Sequence, residues 1–320
     1  MPTGRTLDQP RALINQHKRL DVFRCVHDAH RHFNSRVSVY HVLKARKCHP
    51  GGCVYFRWHC QRLNRGRTCP RSFNHVGRLC HGCTHLADEK MSNHLEQLLD
   101  EKEEQRFRRD LGEYEFWLDS LRGRDVTFYG EVFSVKPKVL RIIHPSGGTE
   151  NRLDGFLAGF LEGYIGYTHF QDPVYLVLDI VQQRRQRLST GDAFQCQARL
   201  STDRGRLVLR RPRGFEFDTR AGGQPINEGE ARVALRTARY RRLQPEKCFA
   251  CPHGMLADVR DLSGVSEQHY RRMACLQGVE LPMECVIPAL ECIENEICLE
   301  DLEAGRSRSP GRSGGGPWHR

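Results

Sequence analysis

The chain has 320 residues, with 50 Lys and Arg against 39 Asp and Glu and a formal net charge of +11. That length allows two or three modules with cores of their own. No apolar run reaches the roughly eighteen residues that a spanning helix needs, and the opening MPTGRTLDQPR has no apolar segment of secretory type, so a cytoplasmic, reducing setting without disulfides is expected.

The charge is unevenly placed. Lys and Arg stand 16 to 3 against Asp and Glu over residues 1–86, 5 to 11 over 87–120, 16 to 11 over 121–220 and 13 to 14 over 221–320. A basic excess concentrated in one module implies an anionic partner, most often nucleic acid. Most of the cations are arginine, which grips phosphate and guanine bidentately and stacks on bases.

Residues 10–46 are expected to be helical, from the spacing of Leu13, Ile14, Leu20, Val22, Phe23 and Val26 and of a second apolar set at Val37, Val39, Tyr40, Val42 and Leu43. His27, Asp28, His30 and His32 read better as a solvated polar face than as a ligand set. The stretch from Cys48 to Cys83 comes next and organises the chain. It holds Cys48, Cys53, Cys60, Cys69, Cys80 and Cys83, and it contains no acidic residue. Cys80 and Cys83 form a C-x2-C knuckle, which puts two thiolates on one side of a tight turn as a tetrahedral ion requires. Arg57, Arg62, Arg65, Arg67, Arg71 and Arg78 are interleaved with Tyr55, Phe56, Trp58 and Phe73. Cations beside aromatic rings suit phosphate contact combined with base stacking.

Residues 87–109 are expected to form a charged linker helix, with Met91, Leu95, Leu98 and Leu99 as its apolar anchors. An apolar knot from Tyr114 to Leu121 should then dock on the next module. From residue 124 the period shortens. Val126, Phe128 and Gly130, then residues 138–143 and 174–180, read as strands, and Phe194, Cys196, Ala198 and Leu200 alternate with Gln195, Gln197 and Arg199. Short strands with glycine-rich turns predict a small barrel or sandwich. Within this region GEVFSVKP, followed later by GDAFQCQARLSTDRGRLVLRR, resembles an OB-fold. The resemblance is one of pattern over about 95 residues. It implies a groove for single-stranded nucleic acid, with Arg199, Arg204, Arg206, Arg210 and Arg211 supplying phosphate contacts.

Residues 228–240 are expected to form a helix. A second cysteine group follows: Cys248, Cys251, Cys275 and Cys285, spaced C-x2-C-x23-C-x9-C. Cys292 and Cys298 fall on an expected acidic helix, and residues 306–320 read as a basic low-complexity tail. Zinc is the default ion for four thiolates, with an iron–sulfur cluster as the alternative for the same donors. None of the common catalytic motifs is present.

The sequence therefore predicts an α+β chain. Residues 1–86 form a cysteine-rich metal-binding module, 87–122 a linker helix, 123–220 an OB-like β-barrel, 221–304 a helical cysteine-containing module and 305–320 a tail. The expected zinc ligands are Cys60, Cys69, Cys80, Cys83, Cys248, Cys251, Cys275 and Cys285, in one site or two, with Cys48 and Cys53 as further candidates. The expected nucleic-acid contacts are Arg57, Trp58, Arg62, Arg65, Arg67, Arg71, Arg78, Arg204, Arg206 and Arg210. The leading reading is a zinc-stapled protein that binds single-stranded DNA or RNA. An iron–sulfur redox protein and a scaffold with structural zinc are the alternatives.

Overall fold

A computed structural model of the chain describes residues 12–27, 30, 35–93, 95–240, 251, 253–264 and 267–278. The first segment is not helical as expected. It forms a 3-10 turn at Gln16–Lys18, two short antiparallel strands, β1 (Phe23–Arg24) and β2 (Arg36–Val37), and a π-helical turn at His41–Ala45. Val22, Phe23, Val37, Val39 and Val42 are all buried in one small core with Cys25, Cys48, Cys53 and Phe107. Most of these are β-branched or aromatic residues, which favour extended backbone. Here burial in a shared core takes precedence over helical spacing.

Next come β3 (Cys53–Cys60), the short helix α1 (Gln61–Asn64), β4 (Leu86–Asn93), β5 (Glu96–Gln97) and the long helix α2 (Glu101–Leu121). The expected linker helix thus starts about four turns late, because residues 86–93 pair with β3 instead. Its start is fixed by a capping box: the Glu103 amide donates to Asp100 Oδ1 at 2.8 Å and the Asp100 amide donates to Glu103 Oε2 at 3.0 Å. The helix joins two cores, burying Phe107 in the N-terminal one and Tyr114 and Leu118 in the central one.

The rest of the described chain builds one sheet. Its elements are β6 (Asp125–Glu131), β7 (Ser134–Ile143), β8 (Thr149–Phe160), β9 (Gly163–Ile165), β10 (Thr168–Phe170), β11 (Val174–Leu178), α3 (Ile180–Gln186), β12 (Ala193–Asp203), β13 (Arg206–Thr219), α4 (Glu228–Thr237), β14 (Arg239–Tyr240), β15 (Gly254–Asp261) and β16 (Gln268–Cys275). The eleven strands lie in the order β10-β9-β6-β12-β13-β11-β8-β7-β15-β16-β14. Only β11 with β13 and β7 with β15 are parallel. This is one large mixed sheet, and the small closed barrel expected for 123–220 is not a separate body among the described residues.

The region expected to be a helical C-terminal module holds α4, but its described remainder is strand and extends the same sheet through β15. Cys248, Cys285, Cys292, Cys298 and the expected acidic helix and tail lie outside the described residues. Alternation in β12 holds: Phe194, Cys196, Ala198 and Leu200 are buried and Gln195 and Arg199 are exposed. At Gly155 in β8, φ is +106° and an added Cβ would stand 2.2 Å from the Leu178 carbonyl oxygen. Only glycine permits that crossing of β8 and β11.

Candidate metal centre and nucleic-acid interface

Strands β3 and β4 form a two-stranded antiparallel ribbon whose register runs from Cys53 opposite Asn93 to Cys60 opposite Leu86. The 25 residues between them return on themselves, and the Gln61 amide donates to the His85 carbonyl at 2.9 Å. This closure gathers the cysteines. Cys60, Cys69, Cys80 and Cys83 line one cavity of about 20 Å³, together with His75, Arg71, Phe73, Leu63 and Leu86. The space suits a single small occupant.

Around this cavity the backbone makes tight turns. The amides of Cys80, Cys83 and Leu86 donate to the carbonyls of Gly77, Cys80 and Cys83, each at about 2.9–3.0 Å, and Ser72 N donates to Cys69 O at 2.9 Å. Backbone N–H groups of Phe73 and Arg71 point their positive ends at the Cys69 sulfur and hold its thiol below the ordinary range. Amide donors aimed at a sulfur favour the thiolate, the form that binds metal. Zinc prefers four soft sulfur donors, and an iron–sulfur centre accepts the same donors. Among the described residues, no group of three or more His, Cys, Asp or Glu is placed so as to hold a metal ion. His75 was missed by the sequence reading because it belongs to no knuckle; its only signal is its position between Cys69 and Cys80.

The second cysteine group is partly visible. Cys275 ends β16 opposite Gly254, whose amide donates to the Cys251 carbonyl at 3.1 Å. Cys251 and Cys275 are therefore brought to the same end of the β15–β16 hairpin. Their expected partners, Cys248 and Cys285, lie outside the described residues. Cys48 and Cys53 are not at the ribbon cavity: both are buried in the N-terminal core. Cys196 is a core thiol, pushed up to about 12 by burial. The rings of His27 and His41 approach that of His30 at 5.5 and 4.9 Å, and burial pushes His30 down to about 4. Asp28 and His32 are outside the described residues.

On one face of the ribbon β3 presents an open apolar stripe, opposite Ser92, Lys90 and Asp88 of β4. Val54, Phe56 and Trp58 occupy alternate positions of β3 and are 46%, 65% and 46% exposed. Period-two geometry sets all three on one side. The Trp58 ring meets His81 edge-on at 4.7 Å. Arg57 alternates to the opposite side and faces Glu89 across the ribbon. The acid-free stretch is thus partly offset by β4, which brings Asp88 and Glu89 alongside it.

Arg65 and Arg67 are exposed, Arg62 donates to the Thr68 carbonyl at 3.2 Å, and Arg71 donates to the Leu79 carbonyl at 2.8 Å while lying over the Phe73 ring. Arg62 and Arg71 therefore brace the loop as well as charging it. Of Arg78 only the backbone is described, in a 3-10 turn at Arg78–Cys80.

On the sheet the expected basic hairpin is not free. Asn15 Nδ2 donates to the Gly205 carbonyl at 3.0 Å, and a Cβ at Gly205 would stand 2.8 Å from Tyr40. The N-terminal segment packs on the turn. Arg206 is drawn inward over the Tyr175 ring, and burial lowers its proton affinity. Arg204 is exposed and reaches the His269 carbonyl at 3.5 Å.

Further along, Arg210 and Arg199 are exposed and directly opposite one another on β13 and β12. Arg211 and Arg213 are also exposed. One carboxylate, Asp125, serves this group: it pairs with Arg213 at 2.9 Å and is held below the ordinary carboxylate range by that bond and by the nearby Arg199 and Arg211.

Compared with family models, with curated proteins and with solved structures, the chain matches none.

Proposed function

We propose that the chain binds single-stranded nucleic acid through a zinc-stapled ribbon and an OB-like sheet surface. The observation that carries this reading is the open stripe of Val54, Phe56 and Trp58 beside the four-cysteine cavity. Exposed rings on a rigid ribbon offer bases a stacking platform at low entropic cost. A bound zinc would fix the 61–85 loop and so hold Arg65 and Arg67 near that platform. Cys60, Cys69, Cys80 and Cys83 would hold the ion, with His75 within reach of the same cavity.

The second support is the arginine group on β12 and β13. Like charges directly opposite across a sheet are unfavourable. Arg199 facing Arg210, with Arg211 and Arg213 alongside and one carboxylate among them, leaves an excess that an anion would relieve.

An OB-like barrel is supported by the connectivity. Only Val132 and Phe133 separate β6 from β7, and both keep sheet-like bonds: Val132 N to Asp192 O and Phe133 N to Gly159 O, each at 2.8 Å. Taken as one bent strand, β6–β7 pairs with β12 along its first half and β8 along its second. The order then returns on itself through β8, β11, β13 and β12, with α3 between β11 and β12. OB barrels bind oligonucleotides across such a surface.

The test is equilibrium binding of a fluorescent single-stranded oligonucleotide at fixed moderate salt. Replacing both Phe56 and Trp58 by Ala is expected to weaken binding by about 1–3 kcal/mol per stacked base. Unchanged affinity in the folded double variant would remove the ribbon from the interface.

A further inference from the structure

The outward face of the sheet carries a set of rings for which the ribbon does not account. In β6 the buried Val126, Phe128 and Gly130 alternate with Asp125, Thr127, Tyr129 and Glu131, which point away from the core. β12 repeats the pattern, with Gln195, Gln197 and Arg199 on the same side. The register sets His169 of β10 opposite Tyr164 of β9, Tyr164 opposite Tyr129, Tyr129 opposite Gln195, and Gln195 opposite Glu216 of β13. Three rings therefore stand side by side on adjacent strands. The Tyr164 and His169 centroids are 5.1 Å apart with planes tilted by 34°, and those of Tyr129 and Tyr164 are 6.4 Å apart and tilted by 47°. Tyr164 is 45% exposed. The aromatics that fill the core, Phe128, Phe160, Phe170 and Phe194, are fully buried on the other side.

This face is charged unevenly. Arg199 stands two outward steps beyond Gln195 on β12, roughly 13 Å away at about 3.3 Å per residue. Arg210 is its cross-strand partner, and Arg213 faces Gln197. Between the arginines and the rings the floor is neutral, with Gln197 Nε2 donating to Thr127 Oγ1 at 2.7 Å. The ring end has the opposite sign. Glu131, Glu162 and Glu216 are exposed there, and Glu162 Oε1 lies 2.9 Å from His169 Nε2. Carboxylates repel phosphate, so an anionic backbone is kept to the arginine end and its bases are left to lie over the rings. Open sheet faces take single strands in this way, bases on exposed rings and backbone along cations.

We propose that the outward face of β10, β9, β6, β12 and β13 is a second single-strand platform, in which Tyr129, Tyr164 and His169 stack bases and Arg199 and Arg210 hold the backbone. The assignment rests on the nucleic-acid reading above, but on neither the ribbon nor a metal. It also fixes an orientation: the bases lie toward β9 and β10, and the phosphates toward Arg199 and Arg210.

The experiment uses the full chain and a fluorescently labelled single strand of DNA of mixed sequence, with affinity read by anisotropy. Replacing Tyr129 and Tyr164 together by Ala is expected to weaken binding about fivefold or more. The pair Tyr129→Phe and Tyr164→Phe keeps both rings and is expected to bind as wild type does. The pair Arg199→Gln and Arg210→Gln is expected to flatten the fall of log affinity with log salt. Ultraviolet cross-linking of wild type, mapped by mass spectrometry, should join the strand to Tyr129 or Tyr164, a readout that does not depend on a variant folding. The inference is overturned if the Ala pair binds as tightly as wild type, if the Phe pair loses as much as the Ala pair, if the arginine pair keeps the wild-type salt slope, or if the cross-links avoid this face. Those failures leave the ribbon reading standing when the Phe56 and Trp58 double variant still loses affinity. A wild-type protein that binds no single strand overturns both.

Discussion

At the scale of the residue, local environment sets what each cysteine can do. Cys69 and Cys196 share a side chain and differ in surroundings: amides from Phe73 and Arg71 draw the first toward the thiolate, and an apolar strand interior pushes the second up to about 12. In metal-stripped protein at neutral pH, iodoacetamide should therefore modify Cys69 well before Cys196, read by peptide mapping. Equal rates would mean that the amide contacts do not persist in solution.

A second residue-scale case is Asp192, which is 1% exposed. It accepts from the Ser189 amide at 2.9 Å and the Ala221 amide at 3.0 Å, with Arg220 at 3.4 Å. Replacing it by Ala strands the buried Ser189 donor and the part-buried Ala221 donor. The expected loss is about 3 kcal/mol in a denaturant titration, whereas a loss below ~1 kcal/mol would show that the loop re-pairs its donors elsewhere.

At the scale of the element, the legible parts were those whose signal is local. The alternation of Phe194 to Leu200 set β12, the helix expected over 228–240 is α4 except that its last two residues form β14, and the C-x2-C at Cys80 and Cys83 marked the ribbon loop. The misread parts depend on partners distant in sequence. Residues 86–93 carry charge at helical density, but each has a β3 residue opposite it, and ladder pairing prevails over local propensity. In the N-terminal segment Val22, Phe23, Val37 and Val42 fit helical spacing by chance; they meet only in the folded core. Cys25 escaped notice for the same reason, being 23 residues from Cys48.

The hairpin turn between β12 and β13 makes a related point. Its arginines looked free in sequence, but the turn is covered by Asn15 and Tyr40. Gly205 has φ +81° with no room for a Cβ. Gly205→Ala should cost about 1–3 kcal/mol and loosen the N-terminal segment, seen as faster amide exchange around Asn15. Exchange unaltered there would mean that the segment is held by other contacts.

At the scale of the whole molecule, the sheet gives the chain one continuous frame from β10 to β14, while α2 ties the N-terminal core to it. The exposed arginines of β12 and β13 sit on this frame, and those of the 61–85 loop belong to the separate β3–β4 ribbon. Contact with phosphate at both would release counterions, and affinity would then fall steeply with salt. The most direct measurement is the affinity for a single-stranded oligonucleotide across a salt series, repeated on the same protein after zinc removal. The account predicts a steep linear decline of log affinity with log salt and a marked further loss once the ribbon is stripped of metal. A salt-independent affinity, or one indifferent to chelation, would contradict it.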